Sequence, residues 1–187
     1  IIKLNIAKDE VEQHPENAQF QRSLEALEKI QPEKIPYELL DFNLGERWIP
    51  LNYYNRFASH LFELNAEVSY FPSVDTFKVK LSSSNAKIDQ EYAVQPKDGR
   101  RMFGDKLLEH ALENTTPFFS YEVDLGDKTI RVPDNDAIQL GHQKVESIRN
   151  SFVDWLKGLP EPEKTELANL YNDTFNCYVL REYDGSH

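Results

Sequence analysis

Downstream of Pro133-Asp134, apolar residues recur at three- and four-residue steps. Val145, Ile148, Phe152, Trp155 and Leu156 share one face of a helix, while Lys144, Glu146, Arg149, Asp154 and Lys157 fall mostly elsewhere on the wheel. A stripe holding both a Phe and a Trp needs a surface to lie on and reads as core. Three earlier stretches follow the same period. Phe20, Leu24, Leu27 and Ile30 predict a helix with Asn17 as its cap, ended by Gln31-Pro32. Tyr54, Phe57, Leu61 and Phe62 predict a second over about 51–63, and Phe103, Leu107, Leu108, Ala111 and Leu112 a third. Gly158, Pro160 and Pro162 hinge the long helix to a final one bearing Leu167, Leu170 and Tyr171.

A period of two marks the strands. Val68 and Tyr70 alternate with polar neighbours up to a turn at Pro72-Ser73, and Phe77, Val79 and Leu81 alternate with Lys78 and Lys80. Ile88, Gln90, Tyr92 and Val94 predict a third strand. Phe119, Tyr121 and Val123 lead into Asp124-Leu-Gly-Asp127, and Ile130 and Val132 return the chain as a hairpin. Residues 1–16, polar after Ile6, read as a peripheral strand or tail. The fold class expected is α+β: an antiparallel sheet of four to five strands with flanking helices, and two C-terminal helices packed on the core. Residues 1–34 are expected as a strand-and-helix appendage and residues 35–187 as a single α+β domain.

Composition narrows the class. With 40% hydrophobic and 12% aromatic residues among 187, the chain can bury a core. No apolar run reaches the ~18–20 residues of a spanning helix, and no signal-peptide pattern opens it. The single cysteine, Cys177, reads as a small buried hydrophobe in a reducing cytoplasm, so a soluble cytoplasmic protein without membrane partners is expected. The chain opens Ile1-Ile2-Lys3, which reads as a processed product or a segment of something longer.

A net charge of −11 argues against a general nucleic-acid binder, but the charge is unevenly spread. Residues 78–106 hold seven basic residues (Lys78, Lys80, Lys87, Lys97, Arg100, Arg101, Lys106) against Asp89, Glu91, Asp98 and Asp105, a net +3. Residues 107–187 hold seven basic against fifteen acidic, a net −8. Any contact with a phosphate backbone is therefore sought in 78–106; otherwise these are ordinary solvated strand edges and a loop.

Signatures of catalysis are sparse. The chain has seven glycines and no Gly-x-x-x-x-Gly-Lys-Ser/Thr loop, no Gly-x-Gly-x-x-Gly and no Gly-x-Ser-x-Gly. His14, His60, His110, His142 and His187 are scattered; His142 and Glu146, at i and i+4, make half a metal site at best. Asp124/Asp127 and Asp134/Asp136 sit in predicted turns, where Asp bonds nearby backbone amides. Neither a catalytic residue nor a metal site is assigned.

Three blocks together carry a resemblance. They are Leu44-Gly-Glu-Arg-Trp-Ile-Pro50, Gln143-Lys-Val-Glu-Ser-Ile-Arg-Asn-Ser-Phe-Val-Asp-Trp155, and Tyr171-Asn-Asp-Thr-Phe-Asn176 closing on Arg181-Glu-Tyr-Asp-Gly-Ser-His187. Over about residues 35–187 the chain resembles the segment that joins the two enzymes of large adenine-specific DNA methylase–Snf-type helicase fusions of phages, plasmids and conjugative elements. Where that family has an aromatic-Gly-Thr-x-Arg pattern, this chain departs with Met102-Phe-Gly-Asp105.

The resemblance implies a non-catalytic accessory domain that couples methylase and helicase domains of one polypeptide. ATP and S-adenosylmethionine are implied for the parent protein, and no cofactor for this segment. DNA is a candidate partner, with Lys78, Lys80, Lys97, Arg100, Arg101 and Lys106 as candidate phosphate contacts. Trp48, Tyr54, Tyr183 and Asp184 are candidate interdomain or stacking residues, with packing inside as the other reading for Trp48 and Tyr54. The alternative is a purely structural, protein-binding module whose acidic C-terminal third faces a basic surface.

Overall fold

The computed structural model describes residues 2–29 and 31–176. The chain groups into two compact units, one built from the segments up to Leu40 and from Pro160 onward, the other from Asp41–Leu159.

In the first unit, α1 (Ile2–Gln13) and α2 (Ala18–Lys29) pack as a helical hairpin. Residues 1–16 were expected as strand or tail. Instead the segment is helical as far as Gln13, with Ala7 buried, because α2 gives it an apolar face to lie on. Asn17 caps α2 as the sequence predicts, its Oδ1 accepting the Gln19 amide at 3.0 Å. Phe20, Leu24 and Leu27 lie half-buried, and Ile30 is outside the described residues. An extended strap then leads to a single 3₁₀ turn, Tyr37–Leu39, which packs on the last helix, named below as α6 (Glu161–Thr174).

The second unit holds the main core. Its elements are α3 (Leu51–Phe62), β1 (Ala66–Phe71), β2 (Thr76–Leu81), α4 (Gly104–Glu113), β3 (Ser120–Asp124), β4 (Thr129–Pro133) and α5 (Asn135–Lys157). The stripe on α5 is core: Ile148, Phe152 and Leu156 are essentially excluded from solvent, while Trp155 is half-buried. Phe152 meets Phe57 edge-on at 5.1 Å and Tyr54 at 5.7 Å, and Tyr54 meets Phe77 edge-on at 5.7 Å. One aromatic cluster thus joins α3, β2 and α5.

The class is α+β, but the expected sheet of four to five strands is not formed. Two separate two-stranded antiparallel ribbons take its place: β1–β2, with Val68 opposite Val79, and β3–β4, with Glu122 opposite Arg131. The expected third strand is helical instead, a short π turn over Lys87–Glu91. Asn85 starts it, accepting the Ile88 amide on its side chain (3.1 Å) and the Asp89 amide on its carbonyl (2.9 Å). Ile88 and Tyr92 are four residues apart, so a helical turn buries both. Only Val94 keeps sheet-like pairing, exchanging two backbone bonds with Met102. α5 lies in the second unit's core, and α6 groups with the first unit.

The β1–β2 ribbon stops at two strands because helices occupy both of its outer edges. On β1, the Val68 amide donates to Asn55 Oδ1, and the Ala66 amide donates to Ser59 Oγ at 3.1 Å. On β2, the Phe77 amide donates to Glu113 Oε1, and the Val79 amide to Glu109 Oε1 at 3.1 Å. Asn55/Ser59 and Glu109/Glu113 are each four residues apart on one helix. Four helical residues rise about 6 Å and two strand residues about 6.8 Å, so one helix face can meet alternate strand amides. Unpaired edge amides are thereby satisfied without a third strand.

Candidate functional site

The Leu44–Pro50 block forms a knot in the second unit. Gly45 has φ +93°, and a Cβ there would stand 1.8 Å from the Leu112 carbonyl oxygen, so only glycine lets this loop touch α4. The turn then aims Arg47 at three elements. Its Nη1 donates to the Gly45 carbonyl (2.6 Å), its Nε to Asp75 Oδ1 (2.9 Å) and its Nη2 to Glu113 Oε2 (3.1 Å), with the guanidinium 4.5 Å from the Phe77 ring centre. The Tyr70 hydroxyl donates to the same Asp75 carboxylate. Burial lowers the Arg47 pKa, but Asp75 and Glu113 outweigh it, so the net shift is upward. Glu113 thus holds Arg47 with one oxygen and the Phe77 amide with the other.

Trp48 and Tyr54 are drawn into this knot. Trp48 Nε1 donates to Glu46 Oε2 at 2.9 Å, and its half-buried ring lies 5.7 Å from Phe42. Tyr54 is 1% exposed and donates its hydroxyl to the Glu46 carbonyl at 2.7 Å. Burial raises its pKa strongly. Tyr54 is therefore an interior ring rather than an exposed stacking surface. Tyr183 and Asp184 lie outside the described residues, as does Cys177.

Most cations of 78–106 are occupied within the unit. Lys106 Nζ meets both Glu109 oxygens, at 3.0 and 2.9 Å, and Lys78 Nζ meets Glu109 Oε2 at 3.3 Å. Burial raises the Glu109 pKa, yet Lys106, the Val79 amide and Lys78 together bring it below its ordinary value. Lys97 Nζ bonds Asp136 at 3.1 Å and lies 5.0 Å from the Tyr121 ring centre. Arg101 donates to Gln95 Oε1 (3.3 Å) and to the Asp89 carbonyl (3.0 Å). Lys87 pairs with Glu63 at 3.0 Å. Lys80 and Arg100 are exposed, with no side-chain hydrogen bond or ion pair among the described residues.

The Asp134/Asp136 pair divides its work. Asp134, 1% exposed, accepts the Lys97 amide at 2.7 Å and caps α5 through the Ala137 amide at 3.3 Å. The Lys97 amide is the chief reason its pKa falls. Asp136 stays exposed, facing Lys97. On α5 and beyond, Lys144 Nζ donates to the Ala93 (2.6 Å) and Gln90 (3.1 Å) carbonyls, closing the π turn, and its burial lowers its pKa.

Trp155 borders two clefts, one of about 380 Å³ with Phe57, His60, Tyr92 and Asp154, and one of about 440 Å³ with Asn55, Arg56 and Asn65. His142 and Glu146 are both exposed. Among the described residues no three His, Cys, Asp or Glu side chains converge as a metal-ligand set, and no helix is long and apolar enough to cross a membrane. Sequence reasoning singled out the basic residues of 78–106 and missed Glu109, the partner of Lys78 and Lys106, and Glu113, the partner of Arg47. It likewise missed Asn55 and Ser59, and the role of Arg47 inside a block it quoted. The one available signal was the i, i+4 spacing of polar side chains on otherwise apolar helix faces.

No curated protein and no solved structure matches the chain. A family described as a domain of unknown function, DUF8437, matches residues 43–177, which takes in the whole Arg47 knot, the β1–β2 ribbon and α6. That span is well over half of the chain, which therefore belongs to the DUF8437 family.

Proposed function

We propose that this chain is a non-catalytic, cytoplasmic accessory module of the DNA methylase–helicase type that couples neighbouring domains by protein contact rather than by gripping nucleic acid. The supporting observation is the state of the basic segment. Lys78, Lys97, Arg101 and Lys106 already answer carboxylates, an amide oxygen or a carbonyl of the same unit. Phosphate would have to compete with those partners, on a chain of net charge −11. On this reading ATP and S-adenosylmethionine belong to the neighbouring helicase and methylase domains.

A second reading, direct DNA contact, narrows to Lys80 and Arg100. The test joins two measurements on the full chain. Co-purification with the helicase and methylase segments should survive nuclease treatment, and labelled DNA at low salt should bind weakly. Tight binding with a steep salt slope, abolished by Lys80→Ala/Arg100→Ala, would reverse the choice.

A further inference from the structure

The first unit contains a third helix that reads a backbone segment through polar side chains, and there the segment lies outside the matched family span. Asn172 on α6 is 3% exposed, and all four of its hydrogen-bonding positions are filled. Its Oδ1 accepts the Ile35 amide at 2.8 Å and the Asn176 Nδ2 at 2.8 Å. Its Nδ2 donates to the Ile35 carbonyl at 2.9 Å and to the Ala168 carbonyl at 2.7 Å. One residue of the strap therefore gives both its backbone groups to one side-chain amide, as it would to the edge of a sheet.

One turn on, Asn176 Nδ2 donates to the Glu33 carbonyl at 2.8 Å, and Asn169 Oδ1 accepts from Lys34 Nζ at 3.0 Å. Asn172 and Asn176 are spaced i, i+4 and read strap residues 35 and 33, the spacing that α3 and α4 use on β1 and β2. Ala168 and Asn176 also hold the Asn172 amide, from the same stretch of chain as Asn172 itself. The strap has the form of a ligand. Pro32 and Pro36 flank it, and Pro36 has φ −69° and ψ 156°, an extended polyproline-like conformation. Glu33, Lys34 and Pro36 are exposed and Ile35 is half-buried, so the contact is chiefly to backbone. The family domain spans 43–177; it contains Asn169, Asn172 and Asn176 but not residues 33–36.

We propose that the asparagine face of α6 is a docking site for an extended peptide, read through its backbone, which this chain fills with its own residues 33–36. The partner class is an extended, proline-flanked segment of another protein with an aliphatic residue in the place of Ile35, and the strap competes with it. This rests on the protein-contact reading and names its surface. Because the site binds main-chain groups, the neighbouring side chains of the peptide matter little, whereas the N–H at the Ile35 position is indispensable.

The probe is a fluorescein-labelled synthetic peptide of residues 31–40, followed by anisotropy with the full chain. Wild type should bind it weakly, because its own strap holds the site. Ile35→Gly, which loosens the strap and leaves α6 intact, should bind at least about tenfold more tightly, as the competent fraction rises. A peptide N-methylated at Ile35 should lose about tenfold or more against either chain, since it leaves Asn172 Oδ1 without its donor. A peptide with alanine in place of Glu33 and Lys34 should keep its affinity.

No binding to either chain, equal binding to both, or indifference to N-methylation would overturn the proposal. Should Ile35→Gly fail to fold by circular dichroism, the native and N-methylated peptides compared on wild type still decide it. Loss of the peptide site with co-purification intact removes the α6 site alone. Peptide binding alongside steep, salt-dependent DNA capture removes the broader reading and leaves the site standing.

Discussion

Glu109 and Glu113 stand one helical turn apart on α4, and each gives one carboxylate oxygen to a β2 amide, Val79 for the first and Phe77 for the second. Their remaining oxygens face Lys78 and Lys106 in one case and Arg47 in the other. An amide left unanswered beside a packed helix costs far more than the net worth of one exposed ion pair. Glu109→Ala and Glu113→Ala should therefore each lower the unfolding free energy by about 1–3 kcal/mol. Glu113→Gln should cost less, since it keeps an oxygen for the Phe77 amide and loses only charge toward Arg47. Urea titrations of the three variants check the order.

Glycine substitutions separate space from conformation. Gly45 and Gly99 both have positive φ, +93° and +94°, but a Cβ at Gly45 meets the Leu112 carbonyl whereas one at Gly99 meets nothing within 4 Å. Gly45→Ala should destabilise by about 3 kcal/mol or more, combining strain with a backbone clash. Gly99→Ala should cost about 1–2 kcal/mol, the conformational part alone. Comparable unfolding midpoints for the two variants would refute the close approach of the Gly45 loop to α4.

Acid sensitivity follows from two carboxyls. Glu109 and Asp134 both have folded-state pKa values below their ordinary ones. A depressed carboxyl adds stability above its unfolded pKa and loses it as pH falls through the folded value. Burial also lowers the His110 pKa, so the urea midpoint should decline shallowly below about pH 7 and drop more steeply below about pH 4. Glu109→Gln should flatten that drop, because its side chain no longer titrates.

Position on the α5 stripe sets the cost of truncation. Phe152 is fully buried among Tyr54 and Phe57, while Trp155 is half-buried at the border of two clefts. Phe152→Ala should cost about 3–5 kcal/mol and Trp155→Ala about 1–2 kcal/mol. Thermal unfolding of both variants tests the ranking.

Elements whose period and turn chemistry agree were legible in the sequence. The β3–β4 hairpin closes where Asp124-Leu-Gly-Asp127 predicts, with Gly126 at φ +88° and its amide on Asp124 Oδ1. The α2 cap at Asn17 and the α5 stripe also follow from local pattern. The sheet did not, because strand count depends on what satisfies the outer edges. Glu109, Glu113, Asn55 and Ser59 look like ordinary polar helix residues until a strand is laid beside them. Ile88–Val94 misled because Ile88, Tyr92 and Val94 satisfy a period of two as readily as Ile88 and Tyr92 satisfy a period of four. Among the candidate contacts, the positive charges were visible but their partners were not: Glu109 lies 31 residues from Lys78, and Asp136 lies 39 from Lys97. Tyr171–Asn176 stood out as a block, yet nothing local shows that Asn172 and Asn176 reach back to residues 33 and 35.

The most direct test of helix side chains closing the ribbon is residue-resolved hydrogen exchange at Phe77 and Val79. Both amides should be protected in the wild type as strongly as the inter-strand amides of β1–β2, although among the described residues no strand lies beyond them. In Glu109→Ala/Glu113→Ala these two should lose protection while the inter-strand amides keep theirs. Equal exchange at Phe77 and Val79 in the wild type and the double variant would contradict the account.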